Sequence, residues 1–172
     1  MKKQFIKLFT ATLFSAMSLF ADDADYTYKS ESLFALEAGF GYYNNDITRE
    51  LNDVNFGLKV GAQSANYRLF LTANRENSVD DENFYRGGVS IQHLFNFSRR
   101  ANFFIGASGG MTSGGDLNTG KEYPTYYGVD LGFNFYGKSN IDYEVGARAL
   151  KTQNYGTVTA GYVSVIVKYQ VD

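Results

Sequence analysis

The stretch Tyr155-Gly-Thr-Val-Thr-Ala-Gly-Tyr-Val-Ser-Val-Ile-Val-Lys-Tyr-Gln-Val171 decides the fold. Tyr155, Val163, Val165, Val167, Tyr169 and Val171 share one parity, with Thr and Gly filling its remaining positions. The other parity mixes Ser164, Lys168 and Gln170 with Ala160, Tyr162 and Ile166. A period of two over this length specifies a strand, and no helical period fits it. At about 3.3 Å per residue it outruns most soluble strands. It exceeds the roughly 9–11 residues that cross a bilayer at a tilt. Such a strand must pair along both edges, so it is expected to close a barrel against the first strand of the chain.

Composition agrees. The chain has 172 residues, one Pro, 18 Gly, 14 Tyr, 15 Phe, no Trp and no Cys. Disulfides and thiolate-bound metals are therefore excluded. A mean hydropathy of −0.28 is too polar for a bundle of membrane helices. It suits a barrel, in which only alternate residues meet lipid. Nothing in the charge pattern points to nucleic acid. Residues 1–21 have the order of a secretory signal: Lys2, Lys3 and Lys7, then a mostly apolar run from Leu8 to Phe20, then Ala21. Without those residues and their three lysines, 151 residues remain and the formal net charge moves from −2 to −5. Residues 22–32 read as a polar periplasmic lead-in, and 33–172 as the barrel.

Seven more strands precede the closing one. They are expected at 33–43, 54–63, 67–75, 84–97, 103–111, 125–136 and 141–150. Val54, Phe56, Leu58, Val60 and Ala62 alternate without exception with Asn55, Gly57, Lys59, Gly61 and Gln63. The fold class is all-β, an eight-stranded antiparallel up-and-down transmembrane β-barrel. Longer connections at 44–53, 76–83, 112–124 and 151–154 alternate with short turns, as outer loops alternate with periplasmic turns. An even strand count puts both termini on the short-turn side. Outward aromatics also sort by depth. Phe34, Phe97, Phe103, Phe135, Tyr143 and Tyr169 lie toward the short turns, and Tyr42, Tyr85, Tyr127 and Tyr155 toward the loops. Two girdles around an aliphatic band are what amphipathic rings form at two membrane interfaces.

By this architecture the mature chain resembles the eight-stranded outer-membrane barrels of Gram-negative bacteria, the class of OmpX and the OmpA transmembrane domain. The likeness covers essentially the whole of residues 33–172. Members usually end on an aromatic residue, whereas this chain ends Gln170-Val171-Asp172. The resemblance implies residence in the outer membrane and contact with its lipid and lipopolysaccharide. It also implies handling by the barrel-assembly machinery, and contact of a host or surface ligand with the four loops.

The inward parity carries Glu37, Lys59, Arg68, Arg86, Asp130, Glu144, Arg148 and Lys168. Eight strands leave room only for side chains, and buried charges must pair. We expect Glu37, Asp130 and Glu144 to face Lys59, Arg68, Arg86, Arg148 or Lys168 in a lumen plugged by ion pairs, with interior glycines letting long side chains cross. A structural or surface-interaction role follows. The alternative is a narrow channel for small solutes gated by these residues.

Other constellations carry less. Gly115 to Lys121 fits the start of a phosphate-binding loop, but Glu122 stands where Ser or Thr is needed and no helix follows. His93 is the only histidine and falls on the lipid face. Some barrels of this size are lipid A-modifying hydrolases or acyltransferases with a His and a Ser at the outer rim. Here strand four descends, so His93 lies toward the periplasmic half, and Phe95 stands where the Ser would be. The chain is therefore read as a non-enzyme without a cofactor. Asp46, Glu50 and Asp53, and Asp80, Asp81 and Glu82, could bridge lipopolysaccharide through a divalent cation, but solvated loop tips are the commoner case. A soluble barrel holding a hydrophobic ligand would require an apolar interior, which the charged parity does not supply.

Overall fold

The computed structural model describes residues 31–44, 49–64, 66–77, 83–113, 124–137, 140–152 and 156–169. Eight strands form: β1 (Glu31–Asn44), β2 (Arg49–Gln63), β3 (Tyr67–Asn77), β4 (Asn83–Asn96), β5 (Ala101–Ser113), β6 (Thr125–Tyr136), β7 (Ile141–Thr152) and β8 (Gly156–Tyr169). Each pairs antiparallel with its sequence neighbours in one closed barrel. β8 closes on β1 from Ser32↔Tyr169 to Asn44↔Thr157, as its two-sided pairing demands.

The register fixes the shape. Following partners from Glu31 leads through Gln63, Arg68, Gln92, Gly106, Asp130, Arg148 and Ala160 to Gly41, ten residues further along β1. With strands about 4.8 Å apart and a rise of about 3.3 Å per residue, that stagger sets a tilt of about 40°.

The faces are reversed relative to a soluble protein. Arg68 is 1 % exposed, whereas Phe40 is 71 % exposed. Leu36, Phe56, Leu71, Tyr127 and Val163 face outward with it. Between the inward polar groups sit three apolar clusters: Leu33, Ala35, Phe70 and Ile166; Leu94, Phe104 and Tyr162; and Tyr126, Leu150 and Val158.

Strand limits differ from the sequence expectation mainly at the end opposite the barrel's first and last residues, called here the far end. β2 starts at Arg49 rather than 54, β3 reaches Asn77, β5 reaches Ser113 and β7 reaches Thr152. β1 also starts two residues earlier, at Glu31, and β5 at Ala101. The connections at the far end shrink to 45–48, 78–82, 114–124 and 153–155, so only the third is much longer than the near-end turns. The reason is physical. Lipid imposes the apolar alternation only within its own thickness, and strand ends beyond it can be polar yet still pair. β2 also takes an extra residue opposite Gly41/Tyr42, where Gly41 pairs with Asp53 but Tyr42 pairs with Leu51. The signal segment 1–21, lead-in residues 22–30 and Tyr155 lie outside the described residues.

Glycine fits where the interior is tightest. A Cβ on Gly146 would lie 2.5 Å from Cζ of the buried Tyr162 ring. On Gly161, across the strand pair but on the opposite face, a Cβ would meet nothing within 4 Å. Gly146→Ala should therefore destabilise the refolded barrel by about 1–3 kcal/mol in urea titrations in lipid vesicles. Gly161→Ala should stay within about 0.5 kcal/mol of the parent in the same titration.

Candidate functional site

The tilt and stagger bring together inward side chains that are far apart in sequence. Glu37 on β1, Lys59 on β2, Arg68 on β3, and Glu144 and Arg148 on β7 meet across the lumen. Glu37 Oε2 accepts from Arg148 Nη2 at 2.5 Å and from Lys59 Nζ at 2.7 Å. Lys59 Nζ also reaches Glu144 Oε1 at 3.0 Å, and Glu144 Oε2 accepts from Arg68 Nη1 at 2.7 Å. The result is an alternating chain: Arg148, Glu37, Lys59, Glu144, Arg68. Neutral groups finish it. Lys59 donates to Ser164 Oγ at 3.4 Å, and Arg68 Nε donates to Gln63 Oε1 at 3.0 Å. Arg68 Nη1 lies 3.4 Å from Gln92 Oε1, and Gln92 Nε2 donates to Asp130 Oδ2 at 2.7 Å.

Aromatic faces carry the cations further. The Tyr162 ring is met by both Arg148, 4.0 Å from Cζ to the ring centroid, and Lys59, 4.6 Å from Nζ. Phe70 lies 5.5 Å from Lys59 Nζ. Cation–π attraction grows as water is removed, and Lys59, Phe70 and Tyr162 are almost entirely buried while Arg148 keeps a slight exposure.

Two smaller groups flank the centre. Toward the far end Arg86 pairs with Glu76 and lies over Tyr126. Toward the near end Lys168 reaches Asp142 at 3.4 Å and Glu31 at 3.9 Å, over Tyr136. A cavity of about 20 Å³, lined among others by Asn74, Ser90, Ser108, Asp130 and Arg148, separates the centre from the Arg86 pair. That is room for about one water.

Of the eight expected lumen residues, five form the central ion-pair chain. Three differ from expectation. Asp130 makes no ion pair among the described residues and is held by the Gln92 amide instead. Arg86 and Lys168 find Glu76, and Asp142 with Glu31, rather than Glu37, Asp130 or Glu144. Glu76 and Glu31 escaped notice because they fall in segments read as loop and lead-in. Asp142 was on the inward parity, and depth alone decides its partner.

The outer face bears Phe34, Tyr85, Tyr127, Phe135, Tyr143 and Tyr169, with Tyr42, Phe97 and Phe103 half-buried. Near the near end Tyr67, His93, Phe95, Phe103, Phe133 and Phe135 form a continuous ladder of ring contacts 4.6–6.4 Å between centroids. His93 stands edge-on to Tyr67 and Phe95, on the lipid face as expected. No group of three or more potential metal ligands occurs among the described residues. The 115–121 motif, Asp46, and Asp80 to Glu82 lie outside them.

Solved structures share this geometry. Neisserial surface protein A aligns over 80 % of this chain and 97 % of its own, with a TM-score of 0.68 and 16 % identity. The N-terminal β-barrel domain of Pseudomonas aeruginosa OprF aligns over 82 % and 100 %, with a TM-score of 0.60 and 13 % identity. Ail, the attachment invasion locus protein of Yersinia pestis, aligns over 82 % and 99 %, with a TM-score of 0.57 and 14 % identity. The chain has the fold of the eight-stranded outer-membrane β-barrels. Its sequence matches no family model and no curated protein.

The contacts rank the interior acids. Glu144→Gln leaves Lys59 and Arg68 short of counter-charge inside the wall, and should cost about 3–5 kcal/mol. Asp130→Asn keeps the Gln92 hydrogen bond and strands no cation, so it should cost no more than about 1 kcal/mol. Urea unfolding of both variants in vesicles checks the ranking.

Proposed function

We propose that this chain is an integral outer-membrane protein with both termini in the periplasm and a lumen plugged by ion pairs. Its role is structural and surface-interactive. It supports the envelope and presents the segments 44–53, 76–83, 112–124 and 151–154 outward. The observation that carries this reading is the central alternating chain. It crosses the lumen from Arg148 to Arg68, and the cavity between it and the Arg86 pair is only about 20 Å³. A wall whose interior is filled this way holds shape rather than passing solutes. Outside, an aliphatic band lies between aromatic positions, which suits residence in lipid.

Partners follow from that setting: outer-membrane lipid, lipopolysaccharide, the barrel-assembly machinery during insertion, and a host or surface ligand at the loops. A surface-binding role has company in the fold, since Ail has been solved with the heparin analogue sucrose octasulfate at 13 % identity and a TM-score of 0.54. No catalytic role is proposed. His93 packs against aromatic rings on the outer face, with Phe95 two residues on.

Two measurements test the reading. The native chain has no cysteine, so single cysteines label cleanly. Asn118→Cys should react with a membrane-impermeant maleimide in intact cells, and Ser139→Cys only after the outer membrane is permeabilised. The reverse pattern would overturn the orientation. In planar bilayers the purified protein should give no reproducible conductance steps. Steady steps would establish the narrow-channel alternative.

A further inference from the structure

The cavity beside the central charge chain has a polar lining, in which Leu150 is the one aliphatic side chain among the described residues. Three buried atoms of lining residues find no hydrogen-bond partner among the described residues: Asp130 Oδ1, Asn74 Oδ1 and Arg148 Nε. Asp130 and Asn74 are both more than nine-tenths buried. Glycines make room for the two oxygens. A Cβ on Gly106 would stand 2.6 Å from Asp130 Oδ1, and one on Gly57 would collide with Asn74 Oδ1.

Asp130 and Arg148 are direct partners across the β6–β7 pair. Asp130 Oδ2 is taken by the Gln92 amide, and Arg148 Nη2 by Glu37. That leaves Asp130 Oδ1 and Arg148 Nε to meet through a third group, with Asn74 entering from β3. A buried polar atom without a partner forfeits the hydrogen bond it would make in water. Two acceptors and one donor around one small space match a molecule that donates twice and accepts once. Water does so, and buried waters typically make about three hydrogen bonds. The volume also fits: about 20 Å³, against the roughly 10–15 Å³ that a water needs. Other small occupants fail on sign. A metal cation would face the Arg148 Nε–H, with Lys59 and Arg86 also in the lining. A chloride would face two oxygen lone pairs, and an ammonium offers no acceptor to Nε–H.

From this geometry we propose that the cavity is a binding site for one ordered water, which donates to Asp130 Oδ1 and Asn74 Oδ1 and accepts from Arg148 Nε. The water closes the lumen network into a ring. The charge chain runs from Arg148 through Glu37, Lys59 and Glu144 to Arg68. From Arg68 it continues through Gln92 to Asp130. The water carries it from Asp130 back to Arg148, and every link then joins a donor to an acceptor. Asp130, which makes no direct ion pair among the described residues, is thereby coupled to the Arg148 charge through one bridging molecule. The site rests on the plugged-lumen reading and deepens it, because a closed ring holds its members from both sides.

The test uses the full chain, isotope-labelled and refolded in detergent micelles, and reads magnetisation transfer from water to the Nε–H of each lumen arginine. Each Nε–H is assigned through the bonds of its own side chain. Arg148 Nε–H should show a direct dipolar contact with a long-lived water. Arg68 Nε–H, which donates to Gln63, should show none. In the rotating frame a dipolar contact and hydrogen exchange have opposite signs, so exchange cannot mimic the result. Ser108→Val puts an apolar group into the cavity lining. It should abolish the water contact at Arg148 and lower the urea midpoint, because three buried atoms lose their partner. No water contact at Arg148 in the parent overturns the proposal. So does an equal contact at Arg68, which would mean a generally wet lumen. A Ser108→Val barrel that loses the contact yet unfolds at or above the parent's midpoint overturns the bridging role. If that variant does not fold, the comparison of Arg148 with Arg68 in the parent still decides. Failure of the plugged-lumen reading shows differently, as steady conductance steps in planar bilayers. No steps together with no contact at Arg148 would fail the water site alone.

Discussion

A lysine ammonium held almost without water must have its counter-charge inside the same wall, and Lys59 is that lysine. It lies 2.7 Å from Glu37 and 3.0 Å from Glu144, and each of those acids holds one further cation. Bringing five charges out of water is costly, and the cost is recovered only when every charge has a close opposite partner. The chain Arg148–Glu37–Lys59–Glu144–Arg68 meets that condition by alternating sign. Its ends are finished by Gln63, Gln92 and the faces of Tyr162 and Phe70. Only a stagger that brings these side chains within reach of one another satisfies the interior, just as only one that aligns the apolar band satisfies the outside.

Space is the second constraint. An eight-stranded barrel is only as wide as the side chains that fill it. The Tyr162 ring can lie against Lys59 and Arg148 because β7 has glycine at 146, where the ring would otherwise collide with a Cβ. Interior glycines and outward glycines thus have different reasons. The first make room for a neighbour within the protein. The second leave hollows that face lipid.

Much of this is legible in residues 54–63 and 155–171. The exceptionless alternation of residues 54–63 and the period of two in residues 155–171 assign side chains to faces, and the charged parity tells which face is inward. The pairing of β8 with β1 followed from the cost of a bare edge in lipid. Two things were not legible. The polar strand ends at 49–53, 76–77 and 151–152 look like loops, because beyond the lipid nothing enforces an apolar alternation. The partners of Arg86, Lys168 and Asp130 depend on depth within the lumen. Depth is set by the stagger around the whole barrel, and local sequence does not encode it. Glu76 was read as a loop acid for the first reason, and Asp130 was paired with a cation for the second.

The central claim is that Arg68 and Glu144 act as members of one buried, mutually dependent charge chain. A double-mutant cycle with Arg68→Met and Glu144→Gln, read by reversible urea unfolding in vesicles, tests it most directly. The account predicts that the double variant is less destabilised than the sum of the single variants, with a coupling of about 1–3 kcal/mol. Additive losses would contradict it. They would mean that the two side chains share the lumen without depending on each other, and that packing alone holds the barrel's interior together.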